Sequence, residues 1–313
     1  MTMNSPKSNF LVKHYQEVLS SIKEMDVEET FDLYFSRFFG LFFAKWGKAM
    51  HLNPTHISFL SLSAGIPGGI LLYWQSEIWI VAIGCFLISL AGVLDSADGQ
   101  LARMTGSSTE FGRMVDGTID NMVFMACYFA GFLSFLDSYG FFYIGALAMI
   151  AGFLHSVKSS VYEFYKCEYQ ELMEGKVESS IPYEAKNVEL QGPRWYHKVI
   201  YYIILDYTSK QLRFVTRSIQ QRRQMRSLVS DNEAKDEFLK NYRSYNKVML
   251  SWWALFSGTN THRTAIMVCA LFGRLDLFFW ASIAWTVFIL PISYHQSLRD
   301  KKLLQKFNLQ LTS

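Results

Sequence analysis

Residues 95–120 read DSADGQLARMTGSSTEFGRMVDGTID and stand between two apolar segments, 71–94 and 121–136. Four aspartates, Asp95, Asp98, Asp116 and Asp120, are spaced through this polar stretch. An ionisable residue in or beside a membrane segment is costly and marks a site by default. Asp95 and Asp98 are three residues apart, so a helix ending here shows both carboxylates on one face. Gly112, Asp116 and Asp120 follow at steps of four, along one stripe of a helix that starts near Gly112. Two helix ends meeting around a short polar loop would gather four carboxylates. A hard divalent cation with oxygen ligands, Mg²⁺ or Mn²⁺, is what neutralises such a group. Gly99 and Ala102 leave one helix surface bare for a flat ligand, and Arg103 offers a planar fork for phosphate.

The flanking segments set the fold class. The chain has 313 residues and is 50% hydrophobic, with 26 Phe and 17 Tyr. Its apolar residues fall in runs long enough to cross a bilayer, which needs about 20 residues per helix. The expected spans are 57–74, 78–94, 114–136, 141–157, a fifth starting near Gly258, and 277–294. The fifth is short: the run between Arg263 and Arg274 does not cross by itself at about 1.5 Å per residue, so it must begin earlier or tilt. The expectation is an all-α polytopic membrane protein of six transmembrane helices. Its divisions are an N-terminal segment 1–52, transmembrane helices one to four over 53–157, a polar helical insertion 158–257, and helices five and six with a basic tail over 258–313.

Ahead of the first span, Phe31, Tyr34, Phe35, Phe38, Phe39, Phe42 and Trp46 recur at helical spacing among charged residues. An aromatic-rich amphipathic helix of this kind lies in a membrane interface. Asn53 or Thr55 can cap the first span, with Pro54 in its first turn. In span four, Gly145, Ala148 and Gly152 allow close helix approach, within one chain or at a homodimer seam. The insertion carries a basic cluster, Arg222-Arg223-Gln224-Met225-Arg226, suited to anionic headgroups or to a solvated helix face. The N-terminus lacks the short apolar core and cleavage site of a signal peptide. The four cysteines lack a C-x-x-C pair and are read as packing residues. Lys and Arg concentrate in the N-terminal segment, the insertion and the tail, while the turns at Gln75 and Asp137 carry none. The positive-inside rule then places both termini and the aspartates on the cytoplasmic side.

The stretch 95–120 resembles the signature of the CDP-alcohol phosphotransferases, D-x2-D-G-x2-A-R-x8-G-x3-D-x3-D, at Asp95, Asp98, Gly99, Ala102, Arg103, Gly112, Asp116 and Asp120. Pro54, Thr55 and Ser58 are similar to the family's P-N-x-x-T element, with Thr in place of Asn and Ser in place of Thr. The resemblance implies six transmembrane helices, CDP held by Pro54, Thr55, Ser58 and the signature, and one or two divalent metals on Asp95, Asp98, Asp116 and Asp120. It implies Asp120 as general base and transfer of a phosphoalcohol with release of CMP. The expected partners are a CDP-alcohol, a polar or lipid alcohol and the bilayer of a bacterial inner membrane, with no nucleic acid. A phosphorylated acceptor such as an inositol phosphate or glycerol phosphate needs cations, and His155, Lys158, His262 and Arg263 are the residues expected to supply them. Against this, the run SSVYEFYKCEYQ after span four is similar to the aromatic, acidic run of the aminoalcohol enzymes, which move choline or ethanolamine phosphate to a lipid alcohol. A transporter with an acidic metal site would need broken helices or repeats, and the sequence displays neither.

Overall fold

A computed structural model of the chain describes residues 6–22, 25–27, 29, 32–107, 110–173, 195–215, 219–230 and 235–307, without the side chains of 6–11, 110–117, 195–197, 199–200, 203–204, 207, 219–220 and 230. Among the described residues there is no strand. The helices are α1 (Pro6–Ser20), α2 (Arg37–Ala49), α3 (Pro54–Leu71), α4 (Ile78–Thr105), α5 (Glu110–Ser134), α6 (Leu136–Tyr139), α7 (Phe141–Met173), α8 (Trp195–Phe214), α9 (Ile219–Ser230), α10 (Lys235–Ser257), α11 (Thr259–Leu271) and α12 (Leu275–Lys306). Two compact units result, one of 1–148 with 263–278, the other of 149–262 with 279–313.

Three of the described helices, α4, α7 and α12, are long and apolar enough to cross a membrane, which makes this an all-α membrane protein. The other expected spans are also helices. However, α3 has only 18 residues and α11 has 13, while α5 runs over the 25 residues Glu110–Ser134. At 1.5 Å per residue α11 reaches about 20 Å, short of a hydrocarbon core of about 30 Å. In α4 the helix runs on for three turns past the expected end of the span at Leu94, to Thr105, and so carries the signature residues on a helix as expected. Gly106 ends it with φ 67°, and the Ser107 amide donates to the Ala102 carbonyl at 2.9 Å. This is the left-handed glycine stop of a helix C-terminus. Twenty-eight residues make a helix of about 42 Å, so its polar last turns extend beyond an apolar core.

The first unit is organised on α4. Helix α3 lies against it where Gly68 meets Gly84: a Cβ on Gly84 would fall 2.8 Å from the Gly68 carbonyl. Only glycine permits that approach. Helix α2 turns its small face, Gly40, Ala44 and Gly47, inward. Ala44 joins Ile57, Leu94, Ala97 and Leu101 in one buried cluster. The Gln100 amide donates to the Arg37 carbonyl at 3.0 Å and fixes the register of α2 on α4. The outer face of α2 leaves Phe39, Phe42 and Trp46 exposed; Phe31 lies outside the described residues. Helix α1 docks through His14, whose Nε2 donates to the Phe38 carbonyl at 2.9 Å and whose ring stacks on Phe42. Its Glu17 pairs with Lys45, which holds the carboxyl below the usual carboxylate range. Cys85 and Cys127 are buried, as packing residues are.

The second unit packs the last turns of α7 on α9 and α10. Arg222 donates to Glu168 at 2.8 Å, both side chains being 4% exposed, and the guanidinium lies 4.0 Å from the centroid of the Phe164 ring. The Tyr242 hydroxyl also donates to Glu168, at 3.4 Å, and Arg226 pairs with Glu171 at 3.3 Å. Two members of the basic cluster are therefore spent on carboxylates of the same unit, because a buried charge must be paired. Only Arg223 of the three arginines is exposed. Tyr162, Tyr165 and Tyr169 from the run SSVYEFYKCEYQ are buried here.

Candidate active site

The site is built on the polar end of α4. Asp95, Asp98, Gly99, Ala102 and Arg103 occupy one continuous helix there, with Asp95 and Asp98 one turn apart. Asp98 is 3% exposed, and the Ser58 hydroxyl donates to its Oδ2 at 2.6 Å. Ser58 Oγ also lies 3.2 Å from the Pro54 carbonyl; the single hydroxyl proton favours the shorter, charge-assisted contact. Ser58 reaches Asp98 because α3 starts just before it. Pro54 takes the first helical position and Asn53 is the N-cap, its backbone N–H donating to His56 Nδ1 at 3.2 Å. Thr55 is exposed on the same turn.

Gly99 leaves the α4 surface bare. A Cβ placed there would meet only the Arg103 guanidinium, 3.4 Å away at Nη1. A flat group can approach this backbone beside a cation. Arg263 of α11 donates from Nη2 to Asp120 Oδ1 of α5 at 3.1 Å. Asp120 is 23% exposed at its side chain and Arg263 7%. Gly112 and Asp116 belong to the backbone of α5, but their side chains lie outside the described residues. Among the described residues no group of three or more His, Cys, Asp or Glu side chains is set to hold a metal. Asp116, one turn before Asp120, is not among those residues. The donor set the signature does provide, carboxylates with a hydroxyl, is of hard oxygens, the chemistry that Mg²⁺ and Mn²⁺ take.

The other basic residues expected at an acceptor belong to the second unit. There the His155 and His262 rings stack at 3.9 Å and 6°. His262 Nδ1 is 3.0 Å from the Gly258 carbonyl, and Trp285 meets the ring edge-on. Lys158 is 2% exposed and donates to the Ser282 carbonyl at 2.6 Å. Sequence spacing did not signal two things in the first unit: the partnership of Arg263 with Asp120, and the glycine beside it. Gly92, one turn before Asp95, lies where a Cβ would fall on the Arg263 guanidinium.

The first unit thus joins a membrane-spanning helix, two aspartates at its polar end and a bare glycine surface. Residues 51–178 match the family model of the CDP-alcohol phosphatidyltransferases, and this stretch is similar to a domain of that family. This implies transfer of a phosphatidyl group from a CDP-alcohol to an alcohol. No curated protein and no solved structure matches the chain.

Proposed function

We propose that the protein is a metal-dependent, phospholipid-synthesising transferase. It moves a phosphatidyl group from a CDP-alcohol such as CDP-diacylglycerol to the hydroxyl of a polar acceptor, with release of CMP. The observation that supports this best is the bond from Ser58 to Asp98, which joins the start of α3 to the signature inside the matched domain. Asp98, oriented by Ser58, and Asp95 would hold a divalent ion with Asp116, and Asp120 is the fourth carboxylate in reach of that role. Such an ion supplies charge neutralisation at the diphosphate. Gly99 and Ala102 admit the nucleotide to the helix backbone, and Arg103 binds phosphate there. The acceptor oxygen forms a bond to the phosphorus distal to cytidine as its proton passes to Asp120. The bond from that phosphorus to the CMP oxygen breaks, and CMP leaves with the electron pair. Positioning and charge neutralisation carry most of the acceleration.

Six spans with both termini on the cytoplasmic side face the site to soluble substrates, and the aromatic outer face of α2 lies in the membrane interface. A phosphorylated acceptor is the reading carried from the sequence, in which His155, Lys158, His262 and Arg263 were expected to supply its cations. The aromatic, acidic run after span four favours the aminoalcohol alternative less than its sequence suggests. Its tyrosines and Glu168 already have packing and charge partners. The test is CMP release by the purified protein with two donors. CDP-diacylglycerol is supplied with glycerol phosphate, inositol phosphate or serine, and CDP-choline with diacylglycerol, the lipid product being identified by mass spectrometry. CMP release and a phosphatidyl product with a polar acceptor are expected. A product from CDP-choline alone establishes the aminoalcohol alternative.

A further inference from the structure

We infer that Arg263 is a positioning residue for Asp120, and that the bare backbone at Gly92 is the seat that lets it act. The inference rests on the proposed role of Asp120 as the acceptor's base.

Three observations meet at this point. Arg263 Nη2 donates to Asp120 Oδ1 at 3.1 Å, which fixes the carboxylate against rotation. The guanidinium is more buried than its partner, at 7% against 23%. The cation is thus the backing and the carboxylate is the member that faces outward. On the other side the guanidinium rests on α4 at Gly92, where a Cβ would come within 2.0 Å of Nη1 and 2.8 Å of Cζ. Arg263 therefore stands between α4, which carries Asp95 and Asp98, and α5, which carries Asp120. A reacting carboxylate must be held to within about half an ångström by its supporting shell. One ion pair from a side chain braced on a second helix provides that constraint. Arg263 was expected to bind the acceptor's anionic group; a guanidinium buried behind Asp120 and bonded to it acts through Asp120 instead. A buried guanidinium is costly unless paired, and the missing Cβ at Gly92 leaves room for it beside Asp120.

The experiment is a double-mutant cycle on CMP release, with CDP-diacylglycerol plus glycerol phosphate and CDP-choline plus diacylglycerol as probes. The variants are Arg263→Gln, Asp120→Asn, their double, Arg263→Lys and Gly92→Ala, each shown to be folded by its melting temperature in detergent. Arg263→Gln and Gly92→Ala are expected to lower kcat about 10–100-fold, the scale for supporting residues, with KM for donor and acceptor nearly unchanged. Arg263→Lys should recover part of the loss. In the Asp120→Asn background the Arg263→Gln change should cost little, since its effect passes through the carboxylate. Losses that multiply in the double variant overturn the inference. A raised acceptor KM at unchanged kcat also overturns it and makes Arg263 an acceptor-binding residue. If the wild type releases no CMP from either donor, the proposed function falls and the positioning role falls with it. Should Gly92→Ala or Arg263→Gln fail to fold, Arg263→Lys carries the cycle through the same kcat-against-KM split.

Discussion

The hydroxyl of Ser58 donates to Oδ2 of Asp98 at 2.6 Å, across forty residues of chain and away from solvent. A buried carboxylate oxygen that loses a donor keeps its desolvation cost, about 1–3 kcal/mol. Ser58→Ala should therefore weaken CDP binding about 10–100-fold in the presence of Mg²⁺, the range found when a ligand's supporting hydrogen bond is removed. Isothermal calorimetry with CDP measures it. Unchanged affinity would show that Asp98 does not depend on this bond.

Asp98 and Asp120 should fail in different ways. Asp98→Asn removes half of a buried, oriented oxygen pair and should lower CDP affinity. Asp120→Asn keeps size and polarity but removes the base, so turnover should fall about a hundredfold or more while CDP still binds. Calorimetric binding beside CMP release separates them. Equal loss of binding in both variants would make Asp120 a metal ligand only.

Chelation should abolish CMP release, and Mg²⁺ or Mn²⁺ should restore it. The carboxylates at the end of α4 and the start of α5 would otherwise repel the diphosphate. Full turnover in EDTA, with Asp95→Ala as active as wild type, is the result that removes metal from the mechanism.

In the second unit Arg222→Met should lower stability by about 3–5 kcal/mol, because Glu168 is left as a buried charge without its closest cation. The double change Arg222→Met with Glu168→Leu should recover most of this. Thermal unfolding in detergent measures both. If the single change is silent, the pair is not held away from solvent.

Much of the first unit was legible because its determinants are local. Asn53 and Pro54 announce the start of α3, and the spacing of Asp95, Asp98 and Arg103 gives their helical face. Hydropathy marks the end of the span near Leu94 but not the end of the helix, which the aspartate spacing carries further. The helix stops only where Gly106 supplies a left-handed residue. The arginines at 222 and 226 looked like a surface cluster because their partners, Glu168 and Glu171, are some fifty residues away. Arg263 and Asp120 are 143 residues apart. Each looked like a charge at a helix end, and no periodicity connects them.

That separation has a consequence for biosynthesis. At about 5–20 residues per second, the ribosome adds Arg263 about 7 to 30 s after Asp120. The aspartate-bearing helix must enter the bilayer and wait for its cation through the synthesis of α7 to α10. The completion of the first unit by 263–278 is thus a late event on the nascent chain. A ribosome stalled before codon 263 would leave a membrane intermediate with its four signature aspartates made and Arg263 still absent, the form that membrane chaperones and proteases would meet.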